Sequence, residues 1–149
     1  MDHTDLAYLS GLFDGEGCIS IIKGKNYTHD KKVCPSPRYR LRIQLTNTNK
    51  EVMDWLASIG WYVRERKDLK KHWKRCWIGA QHDTSAVKWL KILLPYLKVK
   101  KDEAQLAMKF QEVKNQFTHN NGRRGLSDET LSKLESLKIQ MSELKNQKI

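Results

Sequence analysis

Two carboxylates at the end of a predicted helix are the side chains of this sequence best suited to chemistry. Apolar residues before them recur at steps of three and four, which is the spacing of one helix face: Leu6, Leu9, Leu12 and Phe13. Thr4 is the predicted N-cap of this helix. Asp14 and Glu16 then fall in its last turn, where the helix dipole is already negative. Carboxylates there cost stability, and they make sense if a divalent metal ion binds at that end.

The same predicted helix carries small residues on another face. Ala7, Gly11 and Gly15 follow one another at four-residue spacing, with Ser10 and Leu12 beside them. A glycine in a helix interior costs about 1 kcal/mol relative to alanine. Two such glycines favour a surface that a second backbone approaches very closely.

The charge of the chain is concentrated in its middle. The formal net charge is +11, and residues 23–81 alone hold 15 Lys and Arg against 5 Asp and Glu. This distribution favours a polyanionic partner, nucleic acid before membrane. A solvated basic surface is the alternative, and the charge alone does not decide between the two. We expect no membrane span and no signal peptide, because the chain has no long apolar run and no basic-then-apolar leader.

The cysteines indicate an intracellular protein. There are three, an odd number, and their spacing does not match that of metal-binding motifs. We therefore expect reduced thiols in the cytoplasm or nucleoid, or in an organelle if an organelle encodes the chain.

Segment 38–47 shows the clearest strand alternation. One predicted face is apolar: Tyr39, Leu41, Ile43 and Leu45. The other is basic and polar: Arg38, Arg40, Arg42 and Gln44. Like charges on one exposed face repel each other, so this row is poorly suited to stability alone. It suits contact with phosphates and base edges, since Arg pairs with guanine and Gln with adenine.

Three further segments, 18–23, 61–67 and 73–81, are predicted strands. They add side chains to the same polar face: Ser20, Tyr62, Arg64, Arg66, Arg75 and Trp77. In segment 73–81 the alternation predicts that Cys76, Ile78 and Ala80 point into the core, with Trp77 outward. Outward aromatics are typical of ordinary amphipathic strands and equally of contact with a nucleic-acid groove.

The order of elements predicts a two-layer α+β domain with helices behind one antiparallel sheet. Further helices are predicted over 47–59, 84–94 and 102–117, and a last one opens at Ser127 after a loop at 119–125. Residues 1–117 form the predicted core, and 118–149 add a loop and a helix to the same domain.

The nine residues Leu9–Gly17, reading L-S-G-L-F-D-G-E-G, resemble the signature of the LAGLIDADG homing endonucleases. Both glycines of the frame, Gly11 and Gly17, and both acids, Asp14 and Glu16, are present. Glu stands where the family usually has Asp, which keeps the charge and adds one methylene. The resemblance implies the α-β-β-α-β-β-α core of that family to about residue 117, with extra C-terminal helices.

The resemblance also implies a function and a site. The family cuts double-stranded DNA at specific sites by metal-dependent hydrolysis. Glu16 and the carbonyl of Gly15 would bind Mg²⁺ or another divalent cation, such as Mn²⁺ or Ca²⁺. Lys100, or Lys98 one alternation away, would stabilise the transition state or activate water, and Asn47 would organise solvent near the metal. Solvent-exposed polar residues, or a helix cap at Asn47, are the alternative interpretation.

The family packs its signature helix against a second copy. The chain has one motif and no internal repeat, so the resemblance implies a homodimer and a pseudo-palindromic DNA site. The implied interface is formed by Ala7, Ser10, Gly11, Leu12 and Gly15.

The alternative is a related protein without cleavage, either a maturase for intron RNA or a DNA-binding regulator. A hydrolase of a small polyanion comes third, and it predicts a pocket in place of an open sheet. For the last helix, dimer contact, flanking DNA and simple packing all stay open.

Overall fold

The computed structural model describes residues 1–27, 29–118 and 126–148, so the loop predicted at 119–125 lies outside the described residues. Its elements are α1 (His3–Glu16), β1 (Gly17–Gly24), β2 (Arg38–Asn47), α2 (Lys50–Ser58), β3 (Tyr62–Glu65), β4 (Trp77–His82), α3 (Asp83–Leu93), α4 (Lys101–Thr118) and α5 (Asp128–Asn146).

The four strands form one antiparallel sheet in the order β1-β2-β4-β3. The helices cover one face of it, which confirms the predicted two-layer α+β architecture and its order of elements. Strand β2 lies in the middle and alternates as predicted, because Tyr39, Leu41, Ile43 and Leu45 are all buried on the helix side. The opposite side of the sheet, which carries Arg40, Arg42 and Gln44, is called the open face below.

Strand β4 faces the other way from the prediction. Gly79 pairs with Leu45, so Trp77, Gly79 and Gln81 lie on the helix side, while Ile78 and Ala80 lie on the open face. A Cβ built on Gly79 would come within 2.5 Å of the end of the Leu56 side chain, so a larger residue there would require Leu56 on α2 to shift. Ile78 and Ala80 are nevertheless buried, since longer side chains of β2 and β3 flank them.

Helix α1 begins two residues earlier than predicted. Its N-cap is Asp2, whose carboxylate accepts the N–H of Asp5, while the Asp5 carboxylate accepts the N–H of Asp2. This capping box satisfies two backbone donors that the first turn leaves unpaired, so the predicted cap at Thr4 was wrong.

Helix α5 packs on the same core as the other helices. Its buried residues Leu134, Leu137 and Met141 belong to the cluster that contains the sheet's apolar face. Glu135 fixes it to the sheet by accepting hydrogen bonds from Tyr39 and from Lys23, the latter at 3.0 Å. Among the described residues, no helix is long and apolar enough to cross a membrane.

Candidate active site and DNA-binding face

Glu16 stands at the junction of helix and sheet. It ends α1, and Gly17 begins β1 directly, without a linker. Gly17 is required there, because a Cβ on it would lie 2.4 Å from the ring and the carbonyl of Phe13. The Glu16 side chain is exposed and makes no hydrogen bond or ion pair with any residue that the structure describes.

Glu16 and Asn47 line one open cleft of about 590 Å³. Asn47 is oriented by its own backbone contact, in which its side-chain oxygen accepts the N–H of Asn49 at 2.8 Å. The connection between β3 and β4 also lines the cleft, with the cations Arg66 and Lys74 and the ring of Trp73. The cleft therefore holds one carboxylate, one amide and two cations, a set that suits a metal-bound phosphate.

Asp14 has a structural partner instead of a metal. Its carboxylate accepts three consecutive backbone N–H groups just before α4, from Lys98 at 2.7 Å, Val99 at 3.1 Å and Lys100 at 3.0 Å. Burial raises the pKa of Asp14, but these three donors and the Lys100 charge outweigh it, and the pKa lies below its ordinary value. For Asp14, three backbone donors and the charge of Lys100 thus stand where the sequence predicted a metal ion.

Lys100 and Lys98 point to different places. The ammonium of Lys100 donates to the backbone carbonyl of Asp14 at 2.5 Å and so lies against the C-terminal turn of α1. Lys98 lines a separate cleft with Ala7 and Gly11 on the face of the small residues. Of the two lysines, Lys100 is the one whose ammonium contacts the turn that carries Glu16.

The residues present fit a divalent cation. Glu16 offers an oxygen without a partner among the described residues, and Gly15 is among the last residues of α1, whose carbonyls lack helical partners. Mg²⁺ is typically held by one or two carboxylates together with water and substrate phosphate. No group of three His, Cys, Asp or Glu gathers in the described parts of the chain. The remaining ligands would therefore come from water, DNA or a second copy.

The open face is organised in rows across the sheet. Register places Ser20, Arg42 and His82 in one row. The next row holds Cys18, Gln44, Ala80 and Tyr62. Tyr62 is 67% exposed.

The arginines of this face differ in their partners. Arg40 lies 3.5 Å from Asp83 in an ion pair, which is too far for a good hydrogen bond. Arg42 has a buried Nε without a hydrogen-bond partner among the described residues. Arg64 is exposed on β3. The backbone N–H of Arg66 donates to the carbonyl of Cys76, so the strand pairing extends to Arg66, which lies on the same face as Arg64. An unpaired guanidinium nitrogen of this kind favours an external acceptor.

Two residues predicted for this face lie elsewhere. Trp77 is on the helix side, where it packs against the core, because β4 faces opposite to the prediction. Arg75 makes a two-pronged ion pair with Glu65, with N–O distances of 2.7 and 3.0 Å. His82 was missed, because its side of β4 cannot be read from the sequence once both sides of that strand are apolar.

The small residues of α1 divide into two groups. Ala7, Gly11 and Gly15 are exposed, and a Cβ on either glycine would meet nothing within 4 Å. The chain's own packing in its described parts therefore does not require these glycines. Ser10 is fully buried and donates to the carbonyl of Leu93 at 3.4 Å, so it faces α3 and not the exposed stripe. Leu12 is half-buried against the core.

Comparison with known proteins identifies the family. A model of the LAGLIDADG endonuclease family matches residues 9–117, well over half of the chain. The chain belongs to this family. As a member of this family, the protein is a site-specific DNA endonuclease. Among the curated proteins, no sequence matches it.

Solved structures share the fold of this LAGLIDADG endonuclease. The homing endonuclease I-CvuI, in complex with its target and calcium, has a TM-score of 0.67 and 21% identity over 95% of this chain and 82% of its own. The archaeal intron-encoded I-Vdi141I, complexed with DNA, has a TM-score of 0.71 and 15% identity over 95% and 84%. I-SmaMI, bound to uncleaved DNA with calcium ions, has a TM-score of 0.71 and 16% identity over 95% of this chain but 46% of its own.

Proposed function

We propose that this protein is a homing endonuclease that works as a homodimer, uses a divalent cation and cuts both strands of a long pseudo-palindromic DNA site. The observation that carries the proposal is the position of Glu16. It ends α1 at the point where β1 begins, and its carboxylate, unpaired among the described residues, lines a cleft together with the cations Arg66 and Lys74. This arrangement supports a metal held by Glu16 against a phosphate that these cations attract.

Each residue of the site has a separate role in the proposed hydrolysis. A divalent ion held by Glu16 and the Gly15 carbonyl would supply Lewis-acid assistance to phosphodiester hydrolysis. Lys100 places a cation against the turn of Glu16, where it offsets negative charge that develops on the phosphate oxygens. Asn47, held by its contact with Asn49, orients solvent in the cleft. Arg66 and Lys74, in the connection between β3 and β4 that lines the cleft, attract the phosphate.

The dimer follows from the number of carboxylates and from the exposed glycines. One chain supplies one Glu16, and cutting two strands requires two. Gly11 and Gly15 leave open space on the outside of α1, which is what a second helix needs for close approach. Two-fold symmetry would place the two Glu16 residues near each other and the two open faces along one DNA duplex.

DNA readout is assigned to the open face. Arg42 and Gln44 lie in the middle of the central strand, where a sheet in the major groove comes deepest, and we assign them to base edges. Arg38, Arg40, Ser20, Tyr62, Arg64 and Arg66 surround them as contacts to phosphate or sugar. Trp77 and Arg75 are left out of this surface because of their positions.

The deciding experiment selects cleaved sequences from a randomised DNA library with Mg²⁺ and repeats the selection with a chelator. We expect cutting only with the metal, and recovered sites with two related halves. Recovered sites without symmetry would contradict the dimer but not the nuclease. DNA binding without cleavage under every divalent ion would support the binding-only alternative, which family membership does not favour.

A further inference from the structure

We propose that His82 is part of the DNA-binding surface and takes up a proton when DNA binds, so that the affinity of the protein for DNA rises as the pH falls. This inference rests on the proposed use of the open face for DNA. His82 is the last residue of β4, and register sets it directly opposite Arg42 on the open face. No site residue predicted from the sequence lies on this strand's open side.

The histidine ring has no other role in the structure. It is the N-cap residue of α3, but its side chain makes no capping hydrogen bond. No hydrogen bond or ion pair joins it to any residue in the described ranges. A partly buried imidazole opposite Arg42, without partners in the described ranges, is poorly explained by stability alone.

The backbone next to His82 is held firmly. Asp83 has a positive φ of 48°, which lets β4 pass directly into α3. Its carboxylate accepts the N–H of Leu41 at 3.0 Å and contacts the ammonium of Lys114 at 2.8 Å. These contacts stabilise an unusual conformation and so fix the position of the neighbouring histidine.

The surroundings of His82 favour the neutral form of its ring in the free protein. Burial and the charges of Arg40 and Arg42 lower the pKa of His82 below its ordinary value, and Asp83 opposes them in part. Asp83 also pairs with Lys114 and Arg40, and these cations limit how far its charge raises the pKa of His82. Tyr62 is the nearest titratable group of β3, one row away on the same face. The ring therefore lies in a cationic environment that a polyanion would reverse.

Bound DNA changes the sign of this environment. Phosphates over the open face favour the charged imidazolium, which raises the pKa of His82 in the complex. Between the free and bound pKa values each protomer takes up as much as one proton, and binding tightens by as much as about tenfold per pH unit lost for each protomer, or about a hundredfold for a dimer. The gain in DNA affinity is complete below the pKa that His82 has in the free protein and absent above the pKa that it has in the complex.

The test measures affinity against pH with a labelled mixed-sequence duplex at constant ionic strength. It uses a chelator, so that no DNA is cut. A mixed sequence suffices because phosphate charge drives the uptake. For the wild type we expect binding to tighten as the pH falls from about 8 to about 6. Binding heats in buffers of different ionisation enthalpy should show proton uptake approaching one per protomer.

Variants assign the proton to this residue. His82→Asn should lose the pH dependence, and His82→Lys should lose it while binding at pH 8 at least as tightly as the wild type. His3→Asn is the matched control, because His3 begins α1 and contacts Tyr96, away from the sheet. It should keep the full pH dependence.

Three outcomes count against the inference. No proton uptake by the wild type would overturn it without any variant. Unchanged uptake in His82→Asn would assign the proton to another group. Failure to bind duplex DNA at any pH would overturn the proposed function as well, whereas pH-independent binding would overturn this inference alone.

Discussion

Lys100 and Asp14 hold each other through two reciprocal contacts. The ammonium of Lys100 donates to the carbonyl of Asp14 at 2.5 Å, and the carboxylate of Asp14 accepts the N–H of Lys100 at 3.0 Å. The pair joins the end of α1 to the segment that precedes α4. Glu16 lies in the same turn, so Asp14 determines where the Lys100 cation stands relative to the proposed metal ligand.

Asp14→Asn should destabilise the fold. The carboxylate accepts three backbone N–H groups, and the amide cannot replace all of these charge-assisted bonds. We expect the free energy of unfolding to fall by about 1–3 kcal/mol at neutral pH, measured by urea denaturation. Asp54→Asn is the control, because this exposed residue pairs, among the described residues, with Lys50 alone and should cost less than about 0.5 kcal/mol. Equal losses in the two variants would contradict the role of Asp14.

The same substitution has a defined pH dependence. Because the folded pKa of Asp14 is below its ordinary value of 3.8, its stabilisation is complete above that value. It is lost as the pH falls through the folded pKa. The difference in unfolding free energy between wild type and Asp14→Asn should therefore be constant at neutral pH and shrink below about pH 4. A difference that persists in strong acid would mean that the charge is not responsible.

Glu16→Gln should abolish cleavage without harming the fold. The side chain is exposed and unpaired within the described residues, so we expect a change in stability below about 0.5 kcal/mol. DNA binding should be kept or tightened, because a negative charge near phosphate is removed. Cleavage of a plasmid carrying the selected site and a gel-shift titration measure the two effects. Cutting at near the wild-type rate would remove Glu16 from the metal site.

Gly11→Leu should separate the proposed dimer. The monomer has open space at this position, so the variant should fold, whereas a leucine would wedge two close helices apart. Sedimentation velocity should show monomers at low micromolar concentration. Glu112→Leu adds the same side chain at an exposed position of α4 and should leave the dimer intact. A Gly11→Leu protein that still dimerises would place the interface elsewhere.

Arg42→Ala tests direct readout by the open face. If Arg42 contacts a base edge, the variant should lose about 1–3 kcal/mol at the selected site and relax the preference at one or two positions per half-site. Lys91→Ala removes a charge from the exposed side of α3, behind the sheet. It should change neither the binding free energy at the selected site nor the base preference. Cleavage of all single-base variants of the site gives the readout. Even losses over all sequences would make Arg42 a phosphate contact.

The sequence by itself determined the architecture and the position of Glu16 at the end of α1. The strict alternation of β2 has charge on one side and apolar residues on the other, so only one orientation buries the right face. The signature residues Leu9–Gly17 located both the end of α1 and Glu16, because two helix glycines and two terminal acids are a local pattern. Such features need no knowledge of distant contacts.

Only the tertiary structure decided the face of β4 and the role of Asp14. Both sides of β4 are apolar or small, so its period leaves two orientations, and the close approach of α2 to Gly79 selects one of them. That choice moved Trp77 to the core and brought His82 beside Arg42. The partners of Asp14 are 84 to 86 residues away, and Ser10 is buried by Leu93, 83 residues away. Contacts at such separations form only when the helices dock on the sheet, so no local pattern records them.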